Sequence, residues 1–458
     1  MPNLTANKSD NNFEGKTQQV AREIFKEIGK EQPSTFSLSS INGKMMAWSI
    51  TKPDLKVNLF RLVDVLASLR SAKSIARHVH EYLGTQAKEF SSILAWSLGE
   101  NPGIIRSFFT AQATKFGVRQ MAKQFIAGID AKDALPALKK IRRHNSAFTI
   151  DLLGEYAVSE IESENYLKRY LETLDQLAAV KDWPMLTGYL KNHRTESSAI
   201  AISVKLTALY SQCSSLNYKR SIEKLSERLY TIAIKAASLK ATICVDAEDA
   251  GNNHLIYEVF KRVFSESVLR SFHLPAIALQ AYAKNSEVIL NDLLSFAEKR
   301  GAPIGIRLVK GAYWDHENTI ARQNGWESPL FANKESTDAN FERLTDILFA
   351  NHNLVVASIA SHNVRSLSHA IALAEHYSLD KNKFEIQLLY GMADPIGRVF
   401  SARDYLVRYY VPLGEILPGM GYLVRRLLEN SSNESFLRRS FFEGQDIESL
   451  IQPPKFIN

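Results

Sequence analysis

The sequence predicts an α/β chain in which an all-α N-terminal region precedes a (βα)8 barrel. Three observations predict it. From about Ala147 onward, eight short apolar, β-rich runs recur, and a helical segment follows nearly every one. Between about Gly15 and His144 the apolar residues follow helical spacing, with no convincing strand. No Gly-x-Gly-x-x-Gly follows an early strand, which disfavours a doubly wound open sheet. Gly419-Met420-Gly421 matches that pattern only partly and comes last.

Residues 1–14 are polar and are expected to be disordered. Residues 15–145 form the helical region. Phe60, Leu62, Val63, Val65, Leu66 and Leu69 give one apolar stripe, and Ile93, Leu94, Trp96 and Leu98 another. A long helix is expected over 104–127. Lys139, Lys140, Arg142 and Arg143 read as the last turn of a further helix, where cations meet the negative end of the dipole. The expected job of this region is to pack against, or frame, the second part of the chain. The barrel is expected over 146–445, with strands at 147–152, 200–206, 241–246, 276–281, 304–309, 354–359, 384–389 and 406–411. Residues 446–458 form a C-terminal tail.

The chain has 458 residues, 45% of them apolar and 23% charged, which is ordinary globular composition. Its net charge of +7 favours anionic ligands, but no Lys/Arg block of nucleic-acid type occurs, so nucleic acid is not expected as a partner. Two cysteines, Cys213 and Cys244, give neither a disulfide framework nor metal spacing and are expected to be reduced thiols. Eleven histidines lack His-x-x-x-His spacing, so no metal site is expected. Residues 1–18 carry no apolar core of a secretory signal, and no run has the length of a membrane-spanning helix.

A barrel puts its active site at the C-terminal ends of the strands. The polar residues there are Asp151, Lys205, Asp246 with Glu248, Gln280, Arg307 with Lys310, His362 with Asn363, Gln387 and Tyr410. The richest stretch is 305–317, where Arg307, Lys310, Gly311, Tyr313 and Trp314 stand together at a strand end. Backbone and lysine suit a phosphate, rings can stack, and arginine can hydrogen-bond a heterocycle. Lys205 interrupts an apolar strand and needs a carboxylate, for which Asp246, one strand along, is the natural partner. The rival reading is a Schiff-base lysine of a lyase or aldolase. Tyr422, Arg425, Arg426 and Glu429 share one helical face, where adjacent arginines can clamp a substrate carboxylate.

With these motifs the chain resembles the proline dehydrogenase family, in particular the flavin domain of the bacterial bifunctional proline-utilisation enzymes. The resemblance covers roughly residues 145–440. It rests on Ile-Ser-Val-Lys-Leu-Thr-Ala-Leu (202–209), Val-Asp-Ala-Glu-Asp (245–249), Leu-Gln-Ala-Tyr (279–282), Arg-Leu-Val-Lys-Gly-Ala-Tyr-Trp (307–314), Ser-His-Asn (361–363), Gln-Leu-Leu-Tyr-Gly-Met (387–392) and Tyr-Leu-Val-Arg-Arg-Leu-Leu-Glu-Asn (422–430). It implies a distorted barrel that binds FAD non-covalently, oxidises L-proline to Δ1-pyrroline-5-carboxylate and passes electrons to quinone.

The resemblance also implies roles. Arg425, Arg426 and Lys205 would hold the proline carboxylate, with Asp246 paired to Lys205. Ala312, Leu389, Tyr410 and Tyr422 would pack around the substrate ring. Arg307 and Gln280 would meet the flavin ring system, with Glu429 close to the flavin end, and Gln387, Leu388, Tyr410 and Arg426 would be further cofactor contacts. Lys310, Gly311, Ala312, Trp314, Lys334, His362 and Asn363 would hold the ribityl, phosphate and adenine parts, with Val309, Tyr313 and Ser361 as further cofactor contacts. A cytoplasmic protein, peripheral at the inner membrane, with pyrroline-5-carboxylate dehydrogenase acting next, is the implied setting. Three departures stand out. The long family members continue into an aldehyde-dehydrogenase domain beyond the span seen here. Residues 1–50 show no ribbon-helix-helix pattern. Ala332 stands where a hydroxyl-bearing residue is expected near the flavin.

Overall fold

The computed structural model describes residues 8–30, 57–58, 61–62, 65–66, 68–84, 103–154, 156–186, 199–272, 275–415, 419, 422, 426 and 447–456. Eight parallel strands close in sequence order into a barrel. They are β1 (Ala147–Leu152), β2 (Ala201–Val204), β3 (Thr242–Val245), β4 (Ala276–Gln280), β5 (Ile304–Val309), β6 (Val355–Ala360), β7 (Phe384–Leu389) and β8 (Val407–Leu413). The ring is completed by β1 against β8, with Thr149 beside Tyr410. Three strands have the expected bounds. The others shift by a few residues at their ends, where loop geometry and not the apolar run sets the boundary.

Strand period separates two faces. Ile150, Ile202, Val204, Ile243, Val245, Ile277, Leu279, Ile306, Leu308, Ile359, Ile386 and Val411 lie in the main apolar core with the surrounding helices. The alternate residues, among them Asp151, Ser203, Arg307, Ser358, Glu385, Gln387 and Arg408, are buried and hydrogen-bonded to one another inside the barrel. The interior is therefore a polar ladder, not an aliphatic plug.

Among the described residues, four helices precede the barrel: α1 (Lys8–Lys30), α2 (Ala72–Leu83), α3 (Ile104–Phe125) and α4 (Ala131–Arg143). The α1 helix corrects the expectation of disorder for residues 8–14, because it starts at Lys8; residues 1–7 lie outside the described residues. Val20, Ala21, Ile24, Phe25 and Ile28 form its buried stripe. Glu14 is fixed by an ion pair to Arg365, and Glu27 accepts from Arg403 at 2.7 and 3.0 Å. The apolar pattern at 93–98 lies outside the described residues, and that at 60–69 is described only in part.

The helices α2 and α3 share a second core with Leu153, Met392 and Tyr422 at the barrel mouth. Gln124 on α3 donates to the Gly391 carbonyl at 3.3 Å. Gly391 has φ +76°, and a Cβ there would lie 1.8 Å from the Gln124 oxygen. Only glycine permits that approach.

Among the described residues, the helices after the strands are α5 (Glu160–Ala178), α6 (Tyr218–Ser238), α7 (Ala250–Ser265), α8 (Ser286–Arg300), α9 (Trp314–Gln323), α10 (Lys334–Ala350), α11 (Val364–His376), α12 (Asp394–Ala402) and α13 (Ile447–Leu450). Two follow β5, so the strand end carrying Arg307 and Lys310 opens into an extended loop and α9 before α10 returns to the barrel wall.

Candidate active site

The C-terminal ends of β1, β2, β3, β5 and β8 converge on one buried charge network. Lys205, directly after β2, forms its closest ion pair with Asp151 of β1. Its ammonium lies 3.5 Å from Asp246 and donates to the Tyr410 hydroxyl at 3.2 Å. Tyr410 donates in turn to Asp246 Oδ2 at 2.7 Å. Arg307 pairs with Asp246 Oδ1, and the Ser203 hydroxyl donates to the same oxygen at 2.7 Å. Both cations lie over the Tyr410 ring, Arg307 at 5.1 Å and Lys205 at 5.8 Å from its centroid. Two cations therefore face two carboxylates.

The partner of Lys205 differs from the sequence expectation. The expected partner is Asp246, but its first oxygen is taken by Arg307 and Ser203, and Asp151 on the other side of β2 is closer. Burial alone would lower the Lys205 pKa; Asp151, Tyr410 and Asp246 outweigh it and hold the ammonium well above its ordinary value. Burial would likewise raise Asp246, but Arg307 and Lys205 hold it below the usual carboxylate range. Burial also carries Tyr410 well above its ordinary value, with Asp151 and Asp246 adding to it.

A second polar tier lies beneath. Arg307 Nε donates to Gln387 Oε1 at 2.7 Å, and Gln387 Nε2 donates to Glu385 at 2.6 Å. Glu385, fully buried, also accepts from Ser358 at 2.8 Å and from Arg408 Nε at 3.0 Å. Gln387 therefore braces Arg307 against a lower ion pair. Gln280 is braced too: it donates to the Glu248 carbonyl at 2.9 Å and accepts from Asn253 at 2.7 Å.

In the sequence Glu248 stands out only as a polar strand-end residue. Its carboxylate accepts from the Thr207 N–H at 3.2 Å and from the Thr207 hydroxyl. Burial pushes its pKa up to about 7, against the pull of those two bonds. A carboxyl whose folded pKa exceeds its unfolded value binds its proton more tightly when folded. Its contribution is therefore favourable in acid and is lost as pH rises from about 4.5 to about 7. Glu248→Gln is expected to remove that slope and to gain on the order of 2–3 kcal/mol over the parent above neutrality. Denaturant melts of both proteins across this pH range check it. Parallel pH profiles would contradict it.

On the flank, Lys310 and Lys334 both reach Asp338, each at 2.5 Å. Two cations on one carboxylate leave an excess positive charge. Burial lowers the Lys310 pKa, with Asp338 opposing. Gly311 has φ +125°, and a Cβ there would come within 2.4 Å of the Tyr282 ring. Glycine is therefore required directly after Lys310. Asn363 caps α11, accepting from the Ser366 N–H at 3.4 Å, and Ser361 accepts from the Asn363 N–H at 3.1 Å. His362 Nε2 accepts from the Leu389 N–H at 3.0 Å, tying β6 to β7. Ala312 and Trp314 are exposed and Val309 and Tyr313 half-buried; the Trp314 indole donates to the Phe331 carbonyl at 2.9 Å.

Arg426 lies 5.1 Å from the Tyr422 ring centroid, and both side chains are buried. Arg425 and Glu429 lie outside the described residues, as does the loop 416–418. Leu389 is half-buried at the mouth, beside Tyr410 in the register. Leu388 departs from expectation. Strand period turns its side chain outward into the main core beside Gly397 of α12, so it has no side-chain access to the mouth. Ala332 is exposed in the loop before α10.

Residues 134–439 match the sequence model of the family described as proline dehydrogenase. The chain belongs to the proline dehydrogenase family. Residues 14–125 match the family described as the proline utilization A N-terminal domain, so both cores have family counterparts. The bifunctional protein PutA of Klebsiella aerogenes is 29% identical over 345 residues, 74% of this chain and 25% of that protein. Proline dehydrogenase 2 of Bacillus subtilis is 26% identical, over 72% of this chain and 93% of that protein. The crystal structure of proline utilization A from Bdellovibrio bacteriovorus, inactivated by N-propargylglycine, superposes with a TM-score of 0.86 at 36% identity. That match covers 97% of this chain and 44% of the other. The proline dehydrogenase match spans all eight strands and every residue of the charge network.

Proposed function

We propose that this chain is an FAD-dependent proline dehydrogenase that oxidises L-proline to Δ1-pyrroline-5-carboxylate and delivers the electrons to a quinone. The observation that carries the reading is the buried Lys205–Asp151–Asp246–Arg307–Tyr410 network at the strand ends of a proline dehydrogenase barrel.

The donor set fits the cofactor. Arg307 sits in the mouth braced by Gln387, and Lys310 and Lys334 exceed the charge of Asp338. Gly311 would offer backbone directly after Lys310. Arg307, Gln280 and Gln387 would frame the flavin ring, and Lys310, Gly311, Lys334, Ser361 and Asn363 its phosphate-bearing arm. When bound, FAD supplies the two-electron acceptor for the hydride that leaves the proline carbon beside nitrogen.

The protein's own part is to bind and orient. Lys205 stays charged and meets the substrate carboxylate together with Arg426 and Arg425. Tyr422, Tyr410, Leu389 and Ala312 close around the apolar ring. The amine reacts unprotonated, and no strong base stands in the network to be consumed by the reaction. Positioning and fixed charge therefore carry the rate. An ammonium held between two carboxylates is a poor Schiff-base nucleophile, which weighs against the aldolase or lyase alternative.

No helix among the described residues is long and apolar enough to cross a membrane. Electron delivery to a membrane quinone would then be a peripheral encounter from the cytoplasmic side. Pyrroline-5-carboxylate dehydrogenase is the enzyme that would take the product.

A visible absorption spectrum before and after anaerobic L-proline tests the proposal. Flavin bands that bleach on addition are expected; protein that shows none and takes up no added FAD would overturn it. Arg426→Met is expected to raise the Michaelis constant for proline by orders of magnitude, about 2–5 kcal/mol for truncating one partner of a buried charge pair. Steady-state kinetics of the variant decide this, and a near-normal constant would remove Arg426 from the carboxylate clamp.

A further inference from the structure

The C-terminal segment 447–456 crosses the outer end of the Lys310–Lys334 flank and is tied down along its length. At its start, Glu448 receives two hydrogen bonds from Arg22 of α1, both at 2.7 Å. In its middle, Leu450 and Ile451 enter the main core, and the Ile451 carbonyl accepts from Arg365 at 2.9 Å. At its far end, Phe456 lies 5.8 Å from Phe331, the residue whose carbonyl receives the Trp314 indole. Pro453 and Pro454 stiffen the stretch between.

Beneath this strap is a cavity of about 90 Å³ lined by Lys334, Asp338, Asn363, Ser366, Ser449 and Gln452 among others. It opens beside the residues that hold the phosphate-bearing arm in the proposed function. Arg365 also borders it, but all five of its N–H groups are taken: by Glu14, Glu342 and the Ile451 carbonyl. It has no donor left for an anion. Glu342 is committed to Arg365 and Asp338 to the two lysines, which leaves the spare Lys334 donors together with the hydroxyl and amide groups of Ser366, Asn363 and Gln452. The Ser366 hydroxyl is 1% exposed and has no hydrogen-bond partner among the described residues. A buried hydroxyl left unmatched is costly, and a ligand group in the cavity would satisfy it. That chemistry suits a ribose and an adenine edge lying next to a phosphate held by Lys334.

We infer that residues 447–456 form the outer wall of the cofactor's adenosine subsite, so that the dinucleotide leaves only when this strap lifts. The inference rests on FAD being the cofactor of the mouth. It gives the N-terminal helix α1 a share in cofactor retention, since Arg22 and Glu14 anchor the strap directly and through Arg365.

FAD and FMN separate a strap over adenosine from one that acts on the whole fold, because FMN carries the flavin and one phosphate but no adenosine. Release of each is followed by recovery of flavin fluorescence after dilution, in the parent chain, in Glu448→Ala/Phe456→Ala and in Gln452→Ala. Folding is monitored by far-ultraviolet circular dichroism. The double variant is expected to release FAD about tenfold faster, with Gln452→Ala in the same direction and FMN release unchanged in both. Unchanged FAD release in both variants would overturn the inference. Equal acceleration of FAD and FMN would overturn it too, since the strap would then act through the fold. A parent chain that takes up neither flavin would overturn the cofactor reading and this inference with it.

Discussion

Lys205→Met is expected to lower stability by about 3–5 kcal/mol at neutral pH and to slow flavin reduction by proline, because it leaves buried carboxylates without their shared cation. Asp246 keeps Arg307. Asp151 keeps no comparable partner, and its burial already pushes its pKa up against the pull of Lys205. In the variant that carboxyl is raised further. A raised carboxyl is tolerated in acid and penalised as pH climbs through its folded value. The stability gap between parent and variant should therefore be small near about pH 4 and widen toward neutrality. Chemical denaturation at several pH values measures the gap, and anaerobic stopped-flow measures the reduction step. A gap independent of pH would remove Asp151 as the partner, and proline bleaching at the parent rate would remove Lys205 from the substrate site. The Schiff-base alternative demands a borohydride-trapped adduct at Lys205 in flavin-free protein.

The lower tier carries the other large effect. Arg408→Leu removes the ion-pair partner of Glu385, which is fully buried and would still accept from Ser358 and Gln387. The phenylalanine carbonyl at position 148 also loses its 2.9 Å donor. A loss of about 3–5 kcal/mol is expected. Glu385→Leu/Arg408→Leu should recover much of it, because removing both charges abolishes the stranded one. Unfolding midpoints of the parent, both singles and the double form a mutant cycle that reads the coupling directly. Additive single effects would show that the two residues act independently. Gln387 links this pair to Arg307, so the single variant should also loosen the guanidinium's orientation in the mouth.

The barrel was legible because eight apolar runs at regular spacing admit few other arrangements, and 147–152, 304–309 and 384–389 coincide with observed strands. The polar ladder was legible only in part. Thr149/Asp151, Ser203/Lys205, Glu385/Gln387 and Arg408/Tyr410 each place polar residues two apart in an apolar strand, which marks one face. What period two cannot supply is stagger around the ring, and stagger decides that Asp151 rather than Asp246 is nearest Lys205. The same period would have turned Leu388 away from the mouth. The helical start at Lys8 was hidden because 1–14 are polar. What fixes that end is a distant ion pair between Glu14 and Arg365, which no local pattern announces. Glu248 was hidden in the same way, since its environment comes from Thr207 on another loop.

The pairing of β1 with β8 has a consequence for how the protein is made. Arg408 meets the Phe148 carbonyl across 260 residues of chain. At about 5–20 residues per second, a ribosome needs roughly 15–50 s to deliver the second after the first. Throughout that interval the leading strand has one bare edge, and at its end Glu385 emerges before the Arg408 that pairs with it. Nascent chain in this window is the form most exposed to wrong strand pairing. Slowing translation just upstream of residue 384 would lengthen the vulnerable period without changing the mature protein at all.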